Sequence, residues 1–143
     1  MSRAFPTAAG GFTLIELMVV VIVVTILAII TIPAYERYTT RSKILAAQAA
    51  LVSMGVDLKE FQQDHMTYAG GCPTPPPTQD FNLSCPVISS NSYTVIASGT
   101  GPLAGFEFSL DQDGTRTTVS APTGWVTNSG CWISDPQGDC ITE

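Results

Sequence analysis

The sequence contains little of what most catalytic, metal-binding or nucleic-acid-binding sites require. Its 143 residues include one histidine, and six lysines and arginines stand against 12 aspartates and glutamates, for a net charge of −6. One histidine leaves little material for a histidine-based catalytic site or a zinc site. A surface that coats a phosphate backbone should be basic. We therefore expect a protein that is not an enzyme and that uses no cofactor or metal.

Charged residues are also scarce, and one segment of the chain accounts for much of this. They make up 13% of the chain, against roughly 25% in soluble domains. Residues 17–35 contain none, whereas the remainder is rich in threonine, serine, glycine and proline. This distribution excludes a polytopic membrane protein and predicts a soluble domain attached to one apolar helix.

The four cysteines lack the C-x-x-C spacing of zinc ribbons and thioredoxin-like sites. They form two near pairs, Cys72 with Cys85 and Cys131 with Cys140. Three pairings are open to four cysteines, and we favour the two local loops because closing short loops costs the least entropy. An even number of cysteines in a small, loop-rich domain favours an oxidising compartment.

The N-terminus differs from a secretory signal peptide, in which the small residues of the cleavage site follow the apolar stretch. Here the small residues 8–11 precede it, so a cut after Gly11 would leave the apolar helix on the mature chain. The apolar run at residues 17–32, together with its flanks at residues 12–34, suffices for one membrane span.

One acidic residue, Glu16, lies at the start of this apolar segment. Thr13 and Glu16 have the S/T-x-x-E spacing of a capping box, in which the carboxylate returns to the start of the helix. Alternatively, Glu16 meets a positive partner in an assembly, such as the free α-amino group of a neighbouring Phe12. The sequence leaves both interpretations open.

The run G-F-T-L-I-E-L-M-V-V, from Gly11 to Val20, resembles the class III signal of type IV pilins and the related pseudopilins. In that family a prepilin peptidase cuts after the glycine and the new N-terminal phenylalanine is N-methylated. The resemblance implies that Gly11 precedes the cut and that Phe12 becomes the methylated first residue. It also implies that Glu16 is the assembly acid and that Pro33 kinks the helix.

The leader departs mildly from the family pattern, because Arg3 is its one positive residue and Gly10 stands where many pilins have lysine or arginine. The resemblance implies a prepilin leader at residues 1–11, a transmembrane and assembly helix at residues 12–34, and a periplasmic or extracellular domain at residues 35–143. The chain would be a single-pass inner-membrane protein with a periplasmic C-terminus before assembly, and part of an extracellular pilus afterwards.

Charge counting alone favours the opposite orientation. The positive-inside rule places lysine and arginine on the cytoplasmic side, yet Arg37, Arg41 and Lys43 follow the apolar segment and only Arg3 precedes it. We give more weight to the cysteines and to the resemblance.

Beyond Pro33 the helical pattern continues to about His65, with two apolar stripes. The first comprises Ile44, Ala47, Leu51, Met54, Leu58 and Phe61, and we expect it to pack on a sheet. The second comprises Leu45, Ala49, Val52 and Val56. This second stripe either contacts neighbouring subunits or is simply tolerated at partial exposure.

The rest of the chain predicts strands and loops. Residues 72–85 are proline-rich and predict an irregular loop, whereas residues 92–97, 105–110 and 115–120 predict strands. The Asp-x-Asp-Gly at residues 111–114 indicates a hairpin turn rather than a calcium loop. We expect Trp125 and Trp132 to pack in the core. The fold class is α+β, and the resemblance implies a long N-terminal helix on a four-stranded antiparallel sheet, the pilin fold.

The resemblance implies a structural subunit of a type IV pilus, with a minor pilin favoured over a major one. Its partners would be other pilin subunits, the prepilin peptidase and the inner-membrane assembly platform. The pilus could serve adhesion, twitching motility or DNA uptake. The alternatives are a pilus-associated DNA-uptake receptor, which the net charge disfavours, and a type II secretion pseudopilin, which the C-terminal cysteine pair disfavours.

Overall fold

The computed structural model describes residues 11–140, with the side chains of residues 30–34 left out. The leader predicted at residues 1–11 therefore lies outside the described residues apart from Gly11. The chain divides into two compact units, Met1–Arg37 and Tyr38–Glu143. One helix, α1, comprises residues Leu14–His65 and contributes to both units.

In the first unit α1 is apolar on all sides from Leu17 to Ile29. Its large side chains from Leu14 to Ile29 are between 49% and 77% exposed. The Thr25 hydroxyl donates to the Val21 carbonyl oxygen at 2.7 Å, so this polar group is satisfied within the helix itself.

A membrane span was predicted at residues 12–34, and its last five positions have no described side chains. Within the part of the chain that is described, no helix has an apolar stretch long enough to cross a membrane. The helical backbone continues through Pro33, whose side chain lies outside the described set, so the predicted kink stays a prediction.

In the second unit, one face of α1 is buried. The fully buried residues on it are Ile44, Ala47, Leu51, Met54 and Leu58. Their spacing of three and four places them in one stripe on the helix, and this part of the stripe prediction is confirmed. Phe61, the sixth member, is only half-buried and stacks on His65, with ring centroids 4.1 Å apart.

Four antiparallel strands follow in a simple meander. They are β1 (Phe81–Ile88), β2 (Tyr93–Gly99), β3 (Glu107–Asp111) and β4 (Arg116–Ser120), in the spatial order β1-β2-β3-β4. The predicted α+β class with a four-stranded antiparallel sheet is confirmed. Consecutive antiparallel strands need only short connections, so the sheet forms from local pairings.

The first strand corrects the sequence analysis. The irregular loop predicted at residues 72–85 ends before Phe81, and Phe81 and Cys85 belong to β1. The sequence did not indicate this strand because it contains Pro86, and proline lacks the backbone N–H that residues of a central strand donate. The structure accommodates it on the edge strand, where the register with β2 shifts between Ser84 and Val87. Edges and bulges are the places where a sheet tolerates proline.

The core lies between the buried stripe of α1 and one face of the sheet. Alternate residues of the two central strands point into it: Tyr93, Val95 and Ala97 from β2, and Phe108 and Leu110 from β3. The C-terminal segment adds Trp132 and Ile133. The Trp132 indole N–H donates to the Ser109 carbonyl oxygen at 2.8 Å, which satisfies its one polar atom and confirms its expected place in the core.

Three polar contacts attach α1 to the rest of the unit. The Gln48 amide donates to the Ile133 carbonyl oxygen at 3.0 Å. The Tyr93 hydroxyl lies 3.5 Å from the Gly55 carbonyl oxygen. The Lys43 ammonium forms an ion pair with Asp80 at 2.5 Å. These contacts fix the rotation of the helix on the sheet.

We expect Leu51→Ala to lower the free energy of unfolding by about 2–5 kcal/mol, because it opens a cavity under the helix that neighbours fill only in part. Val56→Ala is the matched control on the same helix, since Val56 is 58% exposed and its loss should change stability by less than about 0.5 kcal/mol. Urea unfolding of the full chain in detergent, followed by tryptophan fluorescence, measures both. Equal effects would contradict the assignment of the buried stripe.

We also expect Tyr93 to make stability fall at alkaline pH. Burial raises the pKa of Tyr93, and the nearby Tyr68 and Asp111 raise it further. The unfolded chain therefore releases this proton at a lower pH than the folded chain does. Stability from this group is complete below the ordinary tyrosine pKa of about 10 and is lost as pH rises above it.

Tyr93→Phe should make the alkaline loss shallower, because the variant has no proton to release at this position. Thermal unfolding between about pH 8 and pH 11 measures the slope, with Tyr38→Phe, 73% exposed, as the control for losing a tyrosine. An unchanged slope in Tyr93→Phe would show that the buried phenol is not responsible.

Candidate processing and assembly site

The predicted cleavage position lies in exposed backbone ahead of the helix. Residues 11–13 have no regular structure, and α1 begins at Leu14. Phe12 is 76% exposed, and a Cβ added at Gly11 would meet no atom within 4 Å. Proteases cut exposed, non-helical backbone in preference to regular structure. The bond between Gly11 and Phe12 is therefore accessible, and its cleavage stays a prediction.

The start of α1 shows half of the predicted capping box. The Glu16 backbone N–H donates to the Thr13 hydroxyl oxygen at 3.3 Å, and the Leu17 N–H donates to the Thr13 carbonyl oxygen at 3.2 Å. Thr13 thus satisfies amide groups that have no partner within the helix. Among the described residues, nothing bonds to the Glu16 carboxylate.

Glu16 is exposed, so its charge is available to a partner outside the helix. An acid in the first turn is stabilised by the helix dipole. Because Thr13 alone provides the cap, the carboxylate is dispensable for it. The assembly role of Glu16 stays a prediction.

Two disulfides stabilise the second unit. Cys72 and Cys85 are bonded with their Cα atoms 6.2 Å apart, which joins the loop after α1 to strand β1. Cys131 and Cys140 are bonded with Cα atoms 5.8 Å apart. Both bonds close short loops, of the kind that typically contribute about 2–4 kcal/mol each.

The Asp-x-Asp-Gly sequence forms the turn between β3 and β4, as the hairpin interpretation predicted. The Asp111 carboxylate accepts hydrogen bonds from the backbone N–H groups of Asp113, at 3.0 Å, and Thr115, at 2.8 Å. Gly114 has a φ of +82°, which side-chain-bearing residues rarely adopt. Across the described ranges, no group of three acidic, histidine or cysteine side chains could hold a metal ion.

The predicted residues fall into two separate sets. Gly11, Phe12 and Glu16 follow one another at the start of the first unit, whereas the four cysteines belong to the second. The sequence analysis missed the Lys43–Asp80 ion pair, because nothing in the sequence connects residues 37 positions apart.

A second missed contact places the Arg116 guanidinium 5.1 Å from the centre of the Trp132 ring. Such a cation–π contact is worth about 0.5–1 kcal/mol at an exposed site. An arginine on a strand and a tryptophan in a loop give no sequence signal of this kind.

Residues 7–32 match a family model described as the prokaryotic N-terminal methylation motif. The match includes the predicted cleavage position and Glu16. It covers the end of the predicted leader and the apolar run, and it does not extend to the second unit.

The curated proteins to which this chain is similar agree with that motif. A fimbrial protein of Neisseria meningitidis serogroup B is 39% identical over 66 residues, which is 45% of this chain and 38% of the relative. A type IV major pilin protein, PilE1, of Neisseria gonorrhoeae is 47% identical over 49 residues, 34% of this chain and 28% of the relative. A fimbrial protein of Pseudomonas aeruginosa is 55% identical over 40 residues, 28% of this chain and 26% of the relative. The chain thus spans less than two fifths of the length of these relatives.

Proposed function

We propose that this chain, whose N-terminal segment carries the methylation motif of type IV pilins, is a structural subunit of a type IV pilus. One observation supports this proposal above the others: the methylation motif at residues 7–32 coincides with an exposed junction followed by an apolar helix. The fimbrial and pilin names of its relatives support the same role.

The proposal gives each N-terminal residue a role. A prepilin peptidase removes residues 1–11, and Phe12 becomes the N-methylated first residue of the mature subunit. The helix at residues 12–34 holds the subunit in the inner membrane, with the second unit in the periplasm, until the assembly platform adds it to an extracellular filament. The two disulfides suit an oxidising compartment. The proposed function is structural, with no catalytic step.

Within the family we propose a minor pilin. The Cys131–Cys140 bond beside the buried Trp132 resembles the C-terminal region of minor pilins. Major pseudopilins of type II secretion usually lack this disulfide, so the bond favours a pilus over a secretion pseudopilus. Pulling down filaments from cells that express a tagged chain, and counting its copies against the most abundant subunit, separates a minor pilin from a major one.

A DNA-uptake receptor is the second candidate, and the charge of the chain disfavours it. A receptor for the phosphate backbone should bind DNA with an affinity that falls steeply as salt rises. With a net charge of −6, we expect no such binding from this chain. Measuring DNA binding over a series of salt concentrations decides between a receptor and a filament subunit without DNA affinity.

We expect the mature chain to begin at Phe12 and to carry one added methyl group. Mass spectrometry of protein recovered from sheared filaments measures both. Gly11→Val should leave the leader attached, because a β-branched side chain replaces the glycine at the cut. Gly10→Val is the matched control and should still be processed, since the family tolerates other residues there. A mature chain that begins after Ala34 would contradict the proposal.

We expect Glu16→Val to abolish entry into filaments while leaving the second unit folded. An unpaired carboxylate in a membrane costs about 2.5–3.5 kcal/mol at the centre of the bilayer, and a positive group on a neighbouring subunit would offset that cost. Glu16→Gln should be intermediate, because it keeps a polar head without the charge. Tagged protein in sheared filaments, divided by that in the membrane fraction, is the measurement.

Thr13→Ala provides the control for the helix cap. It removes the observed capping hydroxyl and should weaken the first turn by about 1 kcal/mol, while incorporation stays close to that of the wild type. If Glu16→Val enters filaments normally, the assembly role of the carboxylate is wrong.

A further inference from the structure

We propose that Asn82, on strand β1 of the second unit, is the acceptor for an N-linked glycan. The inference rests on one part of the proposed function, the location of the second unit in the periplasm. It adds a covalent modification remote from the N-terminal motif. The sugar donor is an oligosaccharide activated as a membrane lipid diphosphate.

The sequence around Asn82 is that of an N-glycosylation acceptor. The chain contains three asparagines. Asn82 is followed by Leu83 and Ser84, which gives the N-x-S/T spacing without a proline between the two polar residues. Asn91 and Asn128 are followed two positions later by a tyrosine and a glycine, so neither has this spacing. One asparagine of the three therefore qualifies.

An acidic residue precedes the acceptor. Asp80 stands two positions before Asn82, so residues 80–84 read D-F-N-L-S. Prokaryotic oligosaccharyltransferases favour an acid at this position. In the folded chain the Asp80 carboxylate pairs with Lys43 of α1, and β1 is paired with β2. We therefore expect the transferase to act on this segment before α1 and β2 pack against it.

The folded strand directs both polar side chains of the acceptor away from the core. Phe81 is buried, and Leu83 and Cys85 pack against the core. Side chains alternate between the two faces of a strand, so Asn82 and Ser84 share the opposite face. Both are exposed. A glycan on Asn82 therefore displaces no core residue.

The two acceptor side chains carry no bond that the fold depends on. Neither the Asn82 amide nor the Ser84 hydroxyl has a hydrogen-bond partner among the residues that the structure describes. Attachment of a sugar replaces one N–H of the Asn82 amide and leaves its carbonyl oxygen and second N–H in place. The modified chain thus keeps every hydrogen bond described for the unmodified one.

The surface beside Asn82 offers partners to a sugar. Ser98 lies opposite Asn82 in the register of β1 with β2, and its hydroxyl donates to the Glu107 carboxylate at 3.4 Å. Ile96, which lies opposite Ser84, is half-buried. A sugar presents hydroxyl groups and C–H groups together. Small hydroxyls, a carboxylate acceptor and one aliphatic side chain match that mixture.

The position of β1 explains what a glycan does there. The strand lies at the edge of the sheet, and an exposed edge pairs with other chains unless something blocks it. Pro86 and the change of register between Ser84 and Val87 interrupt the second half of β1. The first half, residues 81–84, pairs regularly, and Asn82 lies within it. A bulky, hydrated glycan there keeps other strands away from the regular half of the edge.

The transfer is a substitution at the first carbon of the sugar. The side-chain nitrogen of Asn82 attacks C1 of the donor, a nitrogen–C1 bond forms, and the bond between C1 and the diphosphate oxygen breaks. The nitrogen gives one proton to a base of the transferase, and the lipid diphosphate leaves with the electron pair. Nothing is oxidised or reduced. A lipid-linked donor is favoured over a nucleotide sugar, because a charged nucleotide does not cross the membrane to the periplasm.

Mass spectrometry of the full-length chain, isolated from the cells that make it, tests the proposal. Peptides from the membrane fraction and from sheared filaments are fragmented by a method that leaves glycans attached. We expect the mass of an oligosaccharide on Asn82 and none on Asn91 or Asn128. Unmodified Asn82 in both fractions, or sugar attached instead to a serine or threonine, would overturn the proposal.

Substitutions at Ser84 separate recognition by the transferase from folding. Ser84→Ala should abolish the sugar although Asn82 is still present, because the hydroxyl two residues on is lost, whereas Ser84→Thr should keep it. Both variants should melt close to the wild type, since the Ser84 side chain is exposed. Asn91→Gln is the matched control in the same hairpin and should leave the sugar on Asn82. Sugar on Asn82 in Ser84→Ala would refute the acceptor assignment.

Comparison of the two fractions keeps this inference apart from the proposed function. A chain that carries sugar on Asn82 and never enters filaments would refute the proposed function alone. A chain that enters filaments with Asn82 unmodified would refute this inference alone.

Discussion

The packing of one helical stripe against one face of the sheet is the interaction on which the second unit depends. Five fully buried residues of α1 face the inward residues of β2 and β3. The four larger side chains, those other than Ala47, contribute about 1.5–3 kcal/mol each when they are removed from water, and together they exceed any single polar contact in the unit. The ion pair of Lys43 with Asp80 and the hydrogen bond of Gln48 orient a helix that burial already holds.

That packing also explains why the distribution of apolar residues around α1 differs between its two parts. A helix covered by a sheet on one side needs polar or small residues elsewhere, and residues 44–58 meet that need in part. From Leu17 to Ile29, by contrast, the helix is apolar on every side, and Thr25 satisfies its hydroxyl internally. One continuous helical segment thus carries side chains selected for two different surroundings.

The sequence predicted the parts of the fold that follow from periodicity. The extent of α1, its buried stripe and the β3–β4 hairpin all arise from local patterns of apolar residues and from the Asp-Gly turn. Strand β1 was not predicted because it contains Pro86, and proline is rarely found in a central strand. Only the pairing with β2 shows that β1 is an edge strand. The N-terminal site was recognisable because its residues are consecutive. The Lys43–Asp80 ion pair was not, since its two residues are 37 positions apart and meet only through the fold.

The C-terminal segment has a consequence for the timing of folding. Ile133 is fully buried and its carbonyl accepts a hydrogen bond from Gln48, 85 residues earlier. Loop closure over such a separation is slow compared with the pairing of adjacent strands. As the chain is synthesised from N-terminus to C-terminus, α1 and the four strands are complete before Ile133 is made. The contact of the C-terminal segment with α1 is therefore the last part of this core to form.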